Sequence, residues 1–147
     1  MFRCGTNYEL YFVAVNEFGA SAQSEIVRAR TGGLAPRAAL EESLILQNSS
    51  RLVLNLSSWD DGLCPISSFV IEYQLQGGRE DEWHTVSNNL NHKTELFPIH
   101  DLQPHTSYSL RVTAHNSAGS TVHTYSVTTL STGTRTMVLC YRTNSLT

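Results

Sequence analysis

Two stretches of this chain, one hundred residues apart, are near-copies of each other. Gly5-Thr6-Asn7-Tyr8-Glu9-Leu10-Tyr11-Phe12-Val13-Ala14-Val15-Asn16-Glu17-Phe18-Gly19 matches His105-Thr106-Ser107-Tyr108-Ser109-Leu110-Arg111-Val112-Thr113-Ala114-His115-Asn116-Ser117-Ala118-Gly119. Thr6 and Thr106, Tyr8 and Tyr108, Leu10 and Leu110, Ala14 and Ala114, Asn16 and Asn116, and Gly19 and Gly119 are identical at a constant offset of 106 − 6 = 100, without a gap. A fixed self-similarity signals repeated units, and about 100 residues is the size of one β-sandwich domain. The chain therefore reads as a cut from a tandem array, with the end of one unit followed by a whole one.

The local patterns agree with an all-β reading. Tyr8, Leu10, Phe12 and Ala14 alternate along a strand and share a face. Glu17-Phe18-Gly19 is a turn signal and residues 24–30 read as the returning strand, which makes residues 6–31 a hairpin. An isolated two-stranded hairpin is marginal in water. The expectation is that residues 34–131 fold alone and residues 1–31 do not. Thr31-Gly32-Gly33-Leu34-Ala35-Pro36 marks the boundary between them. Beyond it come about seven short strand signals up to Leu130. Alternation is clear in Leu52, Leu54 and Leu56 and again in Phe69, Ile71 and Tyr73, while Asn88-Asn89-Leu90-Asn91 reads as a loop. Residues 132–147 do not continue the pattern and read as a disordered tail.

Composition excludes several classes of function. Charged residues make up only 16% of the 147, the net charge is −3, and no basic stripe is present, which argues against a nucleic-acid partner. No segment reaches the length of an apolar membrane-spanning helix, and the first residues do not form a signal peptide. Three cysteines, Cys4, Cys64 and Cys140, leave at least one unpaired within the chain. None has a cysteine two or three residues away, which speaks against zinc. The reading is free or distantly paired thiols, with a partner for Cys4 to be sought upstream of Met1. The six histidines show no ligand spacing; His115 and His123 are placed to face each other across a hairpin, but two ligands are not a site. Neither a nucleophile elbow, a phosphate-cradling loop nor a His-Glu-x-x-His motif occurs, so no catalytic, metal or cofactor residues are assigned.

Leu102-Gln103-Pro104-His105-Thr106-Ser107-Tyr108 resembles the Leu-x-Pro-x-Thr-x-Tyr signature of the fibronectin type III domain. The continuation through Leu110, Val112, Ala114, Asn116 and Gly119 resembles that family's strand F and its turn into strand G, and Cys64-Pro65-Ile66 to Tyr73 resembles its strand C entry. The resemblance implies an immunoglobulin-like β-sandwich: residues 1–31 would be strands F and G of one fibronectin type III domain and residues 34–131 a complete second one. Trp83 stands where the family often has a strand C′ tryptophan. Many members place a tryptophan inside strand B; here Leu56 holds that inward position and Trp59 follows three residues later. Trp59-Asp60-Asp61-Gly62-Leu63-Cys64-Pro65-Ile66 and Ala114 to Thr121 further resemble membrane-distal fibronectin repeats of the Down syndrome cell adhesion molecule family.

That resemblance implies a non-catalytic module of a neuronal cell-adhesion receptor. The parent would sit in the plasma membrane, display immunoglobulin and fibronectin domains outside the cell, and recognise a second copy of itself during neurite patterning and axon guidance. The alternatives are a repeat from an enzyme-linked receptor of the phosphatase type and a repeat from an intracellular scaffold. Tyr108 is expected to anchor the fold by hydrogen bonding back to the backbone a few residues upstream, with Leu102 beside it and Tyr8 doing the same in the first copy. Asn48-Ser49-Ser50 and Asn55-Leu56-Ser57 are glycosylation sequons, the first in a turn and the second with Asn55 on an outward strand position. In the second copy Ser109, Arg111, Thr113 and His115 read as a solvated face; in the first the outward positions are Glu9, Tyr11, Val13 and Val15, whose apolar members read as ordinary scattered surface residues, with a contact stripe as the alternative.

Overall fold

The computed structural model describes residues 1–47 and 51–130. Asn48, Cys140 and the segment read as a tail lie outside the described residues. The first copy of the repeat forms a hairpin. Strand β1 (Asn7–Leu10) pairs antiparallel with β4 (Val27–Arg30), and at the tip β2 (Val15–Asn16) pairs with β3 (Gly19–Ala20). The second copy begins after a linker and a one-turn helix α1 (Glu41–Leu44). Its strands are β5 (Ile45–Gln47), β6 (Leu52–Asn55), β7 (Ser68–Leu75), β8 (His84–Asn91), β9 (Leu96–Ile99), β10 (Ser107–Asn116) and β11 (Gly119–Thr128). They build two sheets, β5-β6-β9 and β11-β10-β7-β8, both antiparallel.

Alternation decides which side chains meet between the sheets. Leu52 and Leu54 from one sheet face Phe69, Ile71, Leu110, Val112 and Ala114 from the other, each at most 2% exposed. Burying such side chains contributes about 1.5–3 kcal/mol apiece. Trp59 joins this core. The chain curls through a 3-10 turn at Leu56–Ser58, which drops the indole back between the sheets at 5% exposure, edge-on to Phe69 with ring centroids 6.1 Å apart. Leu56 keeps the inward strand position and is itself buried. The missing strand-B tryptophan is thus replaced by a leucine together with a tryptophan from the strand end. Pro98, which cannot donate to a ladder, lies in the edge strand β9, where an absent N–H costs least.

Three sequence expectations are corrected. Asn88 to Asn91 belong to strand β8 rather than a loop, since pairing of Ser87, Leu90 and Asn91 with β7, across a bulge at Asn88-Asn89, overrides weak local propensity. His115 lies opposite Ser120 and His123 opposite Val112, so the two histidines point to opposite faces of the sheet instead of meeting. Arg111 is not simply solvated. Its guanidinium lies 4.1 Å from the centre of the Trp83 ring and its Nε donates to Glu72 at 2.7 Å, leaving the side chain 28% exposed.

The two copies also differ in ladder length. β10 and β11 pair without interruption through ten residues, whereas the first hairpin pairs through four, breaks, and pairs through two. Its returning arm spans 27 − 19 = 8 positions against 16 − 10 = 6 on the outgoing arm, an insertion of two residues. Ser24 and Ser21 absorb it. Their hydroxyls accept from the backbone N–H of Phe12 and Ala14 at 2.9 and 3.0 Å, where regular pairing would use carbonyls.

Candidate functional site at the junction of hairpin and sandwich

The corner before the repeated strand is built alike in both copies. The Tyr108 hydroxyl accepts from the backbone N–H of Gln103 at 2.9 Å, and the Tyr8 hydroxyl accepts from that of Arg3 at 2.6 Å, each five residues upstream. Thr106 N–H donates to the Thr129 hydroxyl, which donates to the Gln103 carbonyl at 2.6 Å; Thr6 N–H donates to the Thr31 hydroxyl, which donates to the Arg3 carbonyl at 2.6 Å. His105 and Gly5 occupy the same left-handed position, with φ of 50° and 62°. Leu102 packs beneath the second corner at 5% exposure. Tyr8, by contrast, is only half-buried, with the ring of the exposed Phe2 edge-on to it at 4.7 Å.

The first corner is not left free. Its Cys4 is bonded to Cys64 of the sandwich, 60 residues on, with the two Cα atoms 5.5 Å apart. Of the two alternatives, free or distantly paired thiols, Cys4 and Cys64 take the second: they pair with each other, which corrects only the search for a Cys4 partner upstream of Met1. Three cysteines allow three pairings, and spacing alone does not choose among them.

The loop 60–64 is shaped to present Cys64. Asp60 and Asp61 carboxylates accept from the N–H of Gly62 and Leu63, each at 2.8 Å, and hold those residues at left-handed φ of 65° and 67°. Leu63 is a non-glycine in that region and 87% exposed, so its backbone strain is offset by the carboxylate contact and not by packing. Gly62 lies under the linker, where a Cβ would come within 2.5 Å of the Leu34 carbonyl oxygen. Gly33, at φ 118°, passes directly over the sulfur bridge, where a Cβ would overlap both Sγ atoms.

Asn116, in the turn between β10 and β11, ties these pieces together. Its Nδ2 donates to the carbonyls of Leu34 at 2.8 Å, Asp61 at 2.9 Å and Cys64 at 3.2 Å, while its Oδ1 accepts from Ala118 and Gly119 N–H. The next residue, Ser117, donates its hydroxyl to the Cys4 carbonyl at 2.6 Å. Ala118 lies so close to Gly5 that a Cβ on Gly5 would overlap it. One surface of the hairpin corner (Cys4, Gly5) thus meets one end of the sandwich (loop 60–64 and turn 116–119).

The sites assigned from sequence are scattered over the molecule. Trp59, Leu102 and Tyr108 belong to the core, Trp83 lies on the outer face of the four-stranded sheet, and Asn55 is half-buried in β6 with its Oδ1 accepting from Ser57 at 2.6 Å. Only Tyr8 adjoins the junction. Cys4, Gly5, Gly33, Cys64, Asn116 and Ser117 were not assigned; Asn116 carried a signal in the repeat, and the cysteines lacked only the pairing. Among the described residues, no three His, Cys, Asp or Glu side chains converge as a metal ion needs, and no helix is long and apolar enough to cross a membrane.

Residues 47–138 match the family model described as the DSCAM/DSCAML C-terminal Fn3-like domain. The chain belongs to that family. Among curated relatives, the cell adhesion molecule Dscam1 of Drosophila melanogaster is 39% identical over 127 residues, covering 86% of this chain and 6% of that protein. The cell adhesion molecule DSCAM of Homo sapiens is 38% identical over 118 residues, covering 80% of this chain and 6% of that protein. The matched part of the chain therefore spans only 6% of the length of these cell adhesion molecules. A crystal structure of chicken CNTN1 FN1–FN3 domains aligns with a TM-score of 0.49 at 20% identity, over 88% of this chain and 44% of that one.

Proposed function

We propose that this chain is a non-catalytic, extracellular spacer and adhesion module of a neuronal receptor. In the full-length parent it contributes to recognition of a second copy of the same protein and to neurite patterning. Residues 1–31 are read as strands F and G of a preceding fibronectin type III domain, and residues 34–131 as a complete one. The relatives are cell adhesion molecules, which supports the class. The observation that carries the reading is the Cys4–Cys64 bond, because disulfides persist on the outside of cells and are reduced within the cytosol. It favours a receptor ectodomain over an intracellular scaffold.

Asn55 supports the same compartment. Its side chain sits on the outer surface of β6, and the Ser57 hydroxyl of the sequon already contacts its amide. The test is expression of the parent in cultured animal cells, displayed on the surface. The expected result is a glycosidase-sensitive mass on Asn48 or Asn55 and self-aggregation of the expressing cells. Aggregation only with cells bearing a different protein would refute the homophilic part. Absence from the surface, with thiols free, would return the scaffold reading.

A further inference from the structure

We infer that the Cys4–Cys64 bond and the contacts around it form an angle-setting joint, which docks the corner of the preceding sandwich rigidly onto the end of this one. The inference rests on reading residues 1–31 as the end of a preceding fibronectin domain. It says nothing about what the parent binds. Most linkers between sandwich units leave orientation open, since few contacts cross them. Here five independent features converge on one small surface. The sulfur bridge spans 60 residues, Ser117 caps the Cys4 carbonyl, Asn116 holds linker and loop together, Gly33 clears the sulfurs, and Gly5 lets Ala118 approach.

The two corners make the comparison within one molecule. They share the tyrosine and threonine hydrogen bonds, so those belong to the fold. They differ at the two positions that touch the next unit: Cys4 and Gly5 in the first corner correspond to Pro104 and His105 in the second. Pro104 offers no sulfur, and the His105 side chain would fill the space that Ala118 enters beside Gly5. The joint is therefore a property of this junction and not of the repeat. The turns differ in the same sense. Asn116 uses both ends of its amide, whereas among the described residues Asn16 engages Oδ1 alone, with the N–H of Phe18 at 2.9 Å.

The partner of the sandwich end is thus specified chemically. It is a sandwich corner carrying cysteine and then glycine, with the glycine at positive φ and its preceding carbonyl aimed at a serine hydroxyl. A fixed angle here means that orientation passes along the array through this joint instead of being lost in a flexible linker.

The test uses the whole chain, expressed with oxidation allowed. Tryptic mapping without reductant is expected to recover a peptide containing Cys4 linked to one containing Cys64; alkylation of both thiols, or linkage of either to Cys140, would overturn the joint. Residual dipolar couplings then report orientation. Amides of the hairpin and of the sandwich are expected to fit one alignment tensor in the parent, and that shared fit is expected to be lost in Cys4→Ser. Cys4 lies outside the sandwich, and unchanged Trp59 fluorescence verifies that the sandwich remains folded in the variant. Separate tensors in the parent, or one shared tensor retained in Cys4→Ser, would each refute the bond as the fastener. Gly5→Ala serves as a second variant, expected to loosen the shared fit with the sulfurs still joined; an unchanged fit would refute the close approach of Gly5 to Ala118.

Discussion

Replacing Tyr108 by phenylalanine separates a corner hydrogen bond from the packing of its ring. The ring would stay, edge-on to Tyr73 at 5.7 Å, and only the hydroxyl that accepts from Gln103 N–H at 2.9 Å would go. A net hydrogen bond contributes about 0.5–1.5 kcal/mol, and stranding its buried donor costs about 1–3 kcal/mol. Tyr108 is 5% exposed but Gln103 lies at the surface, so water reaches the freed N–H in part. The expected loss is about 1–2 kcal/mol, which for a domain of roughly 100 residues lowers Tm by about 5–10 °C. Tyr8→Phe removes the matching bond, but the first corner is half-buried and solvated. Its expected cost is below about 0.5 kcal/mol. Urea unfolding followed by tryptophan fluorescence, with calorimetry for Tm, measures both. The reasoning is refuted if Tyr108→Phe unfolds with its parent, or if Tyr8→Phe is as costly.

Three further outcomes are expected. Asn116→Asp keeps the two accepted bonds but turns a carboxylate toward three carbonyl oxygens, so it should destabilise more than Asn116→Ala, as read by urea midpoints. Arg111→Ala removes the Trp83 contact and the Glu72 ion pair together, with an expected cost of about 1–2 kcal/mol by chemical denaturation; Arg111→Lys should recover only part of it, since it loses the planar face. Burial, helped by the charge of Glu41, pushes the Tyr125 hydroxyl up to about 12, so the folded state holds its proton longer than the unfolded one. Stability from this group is complete below about pH 10 and is lost as pH rises toward 12; thermal melts across that range should show a shallower decline in Tyr125→Phe.

The fold was legible because its signals are local. Alternation along β10, the turn at Asn116 to Gly119 and the Leu102-to-Tyr108 corner each fix a conformation within a few residues of themselves. Errors fell where distant partners decide. Asn88 to Asn91 have poor strand propensity, and only the β7 backbone opposite makes them a strand. The curl that buries Trp59 depends on a 3-10 turn with no residue signature of its own. The joint was the least legible part. A disulfide spanning 60 residues leaves no spacing rule behind, Gly33 reads as part of a boundary signal and Gly5 as one more residue of the repeat until the sulfurs and Ala118 are seen beside them.

The serine-filled break in the first hairpin has a consequence for solubility. A regular strand at the margin of a sheet offers an evenly spaced comb of donors and acceptors, which another chain can copy onto. Between Ser21 and Val27 the returning arm carries two extra residues, and at Phe12 and Ala14 the ladder donors are satisfied by hydroxyls within the hairpin. The returning arm is therefore two residues out of step with a regular strand. With Phe12 and Phe18 69% and 89% exposed in this segment, an irregular returning arm is a poor template for a foreign strand and so guards against mispairing.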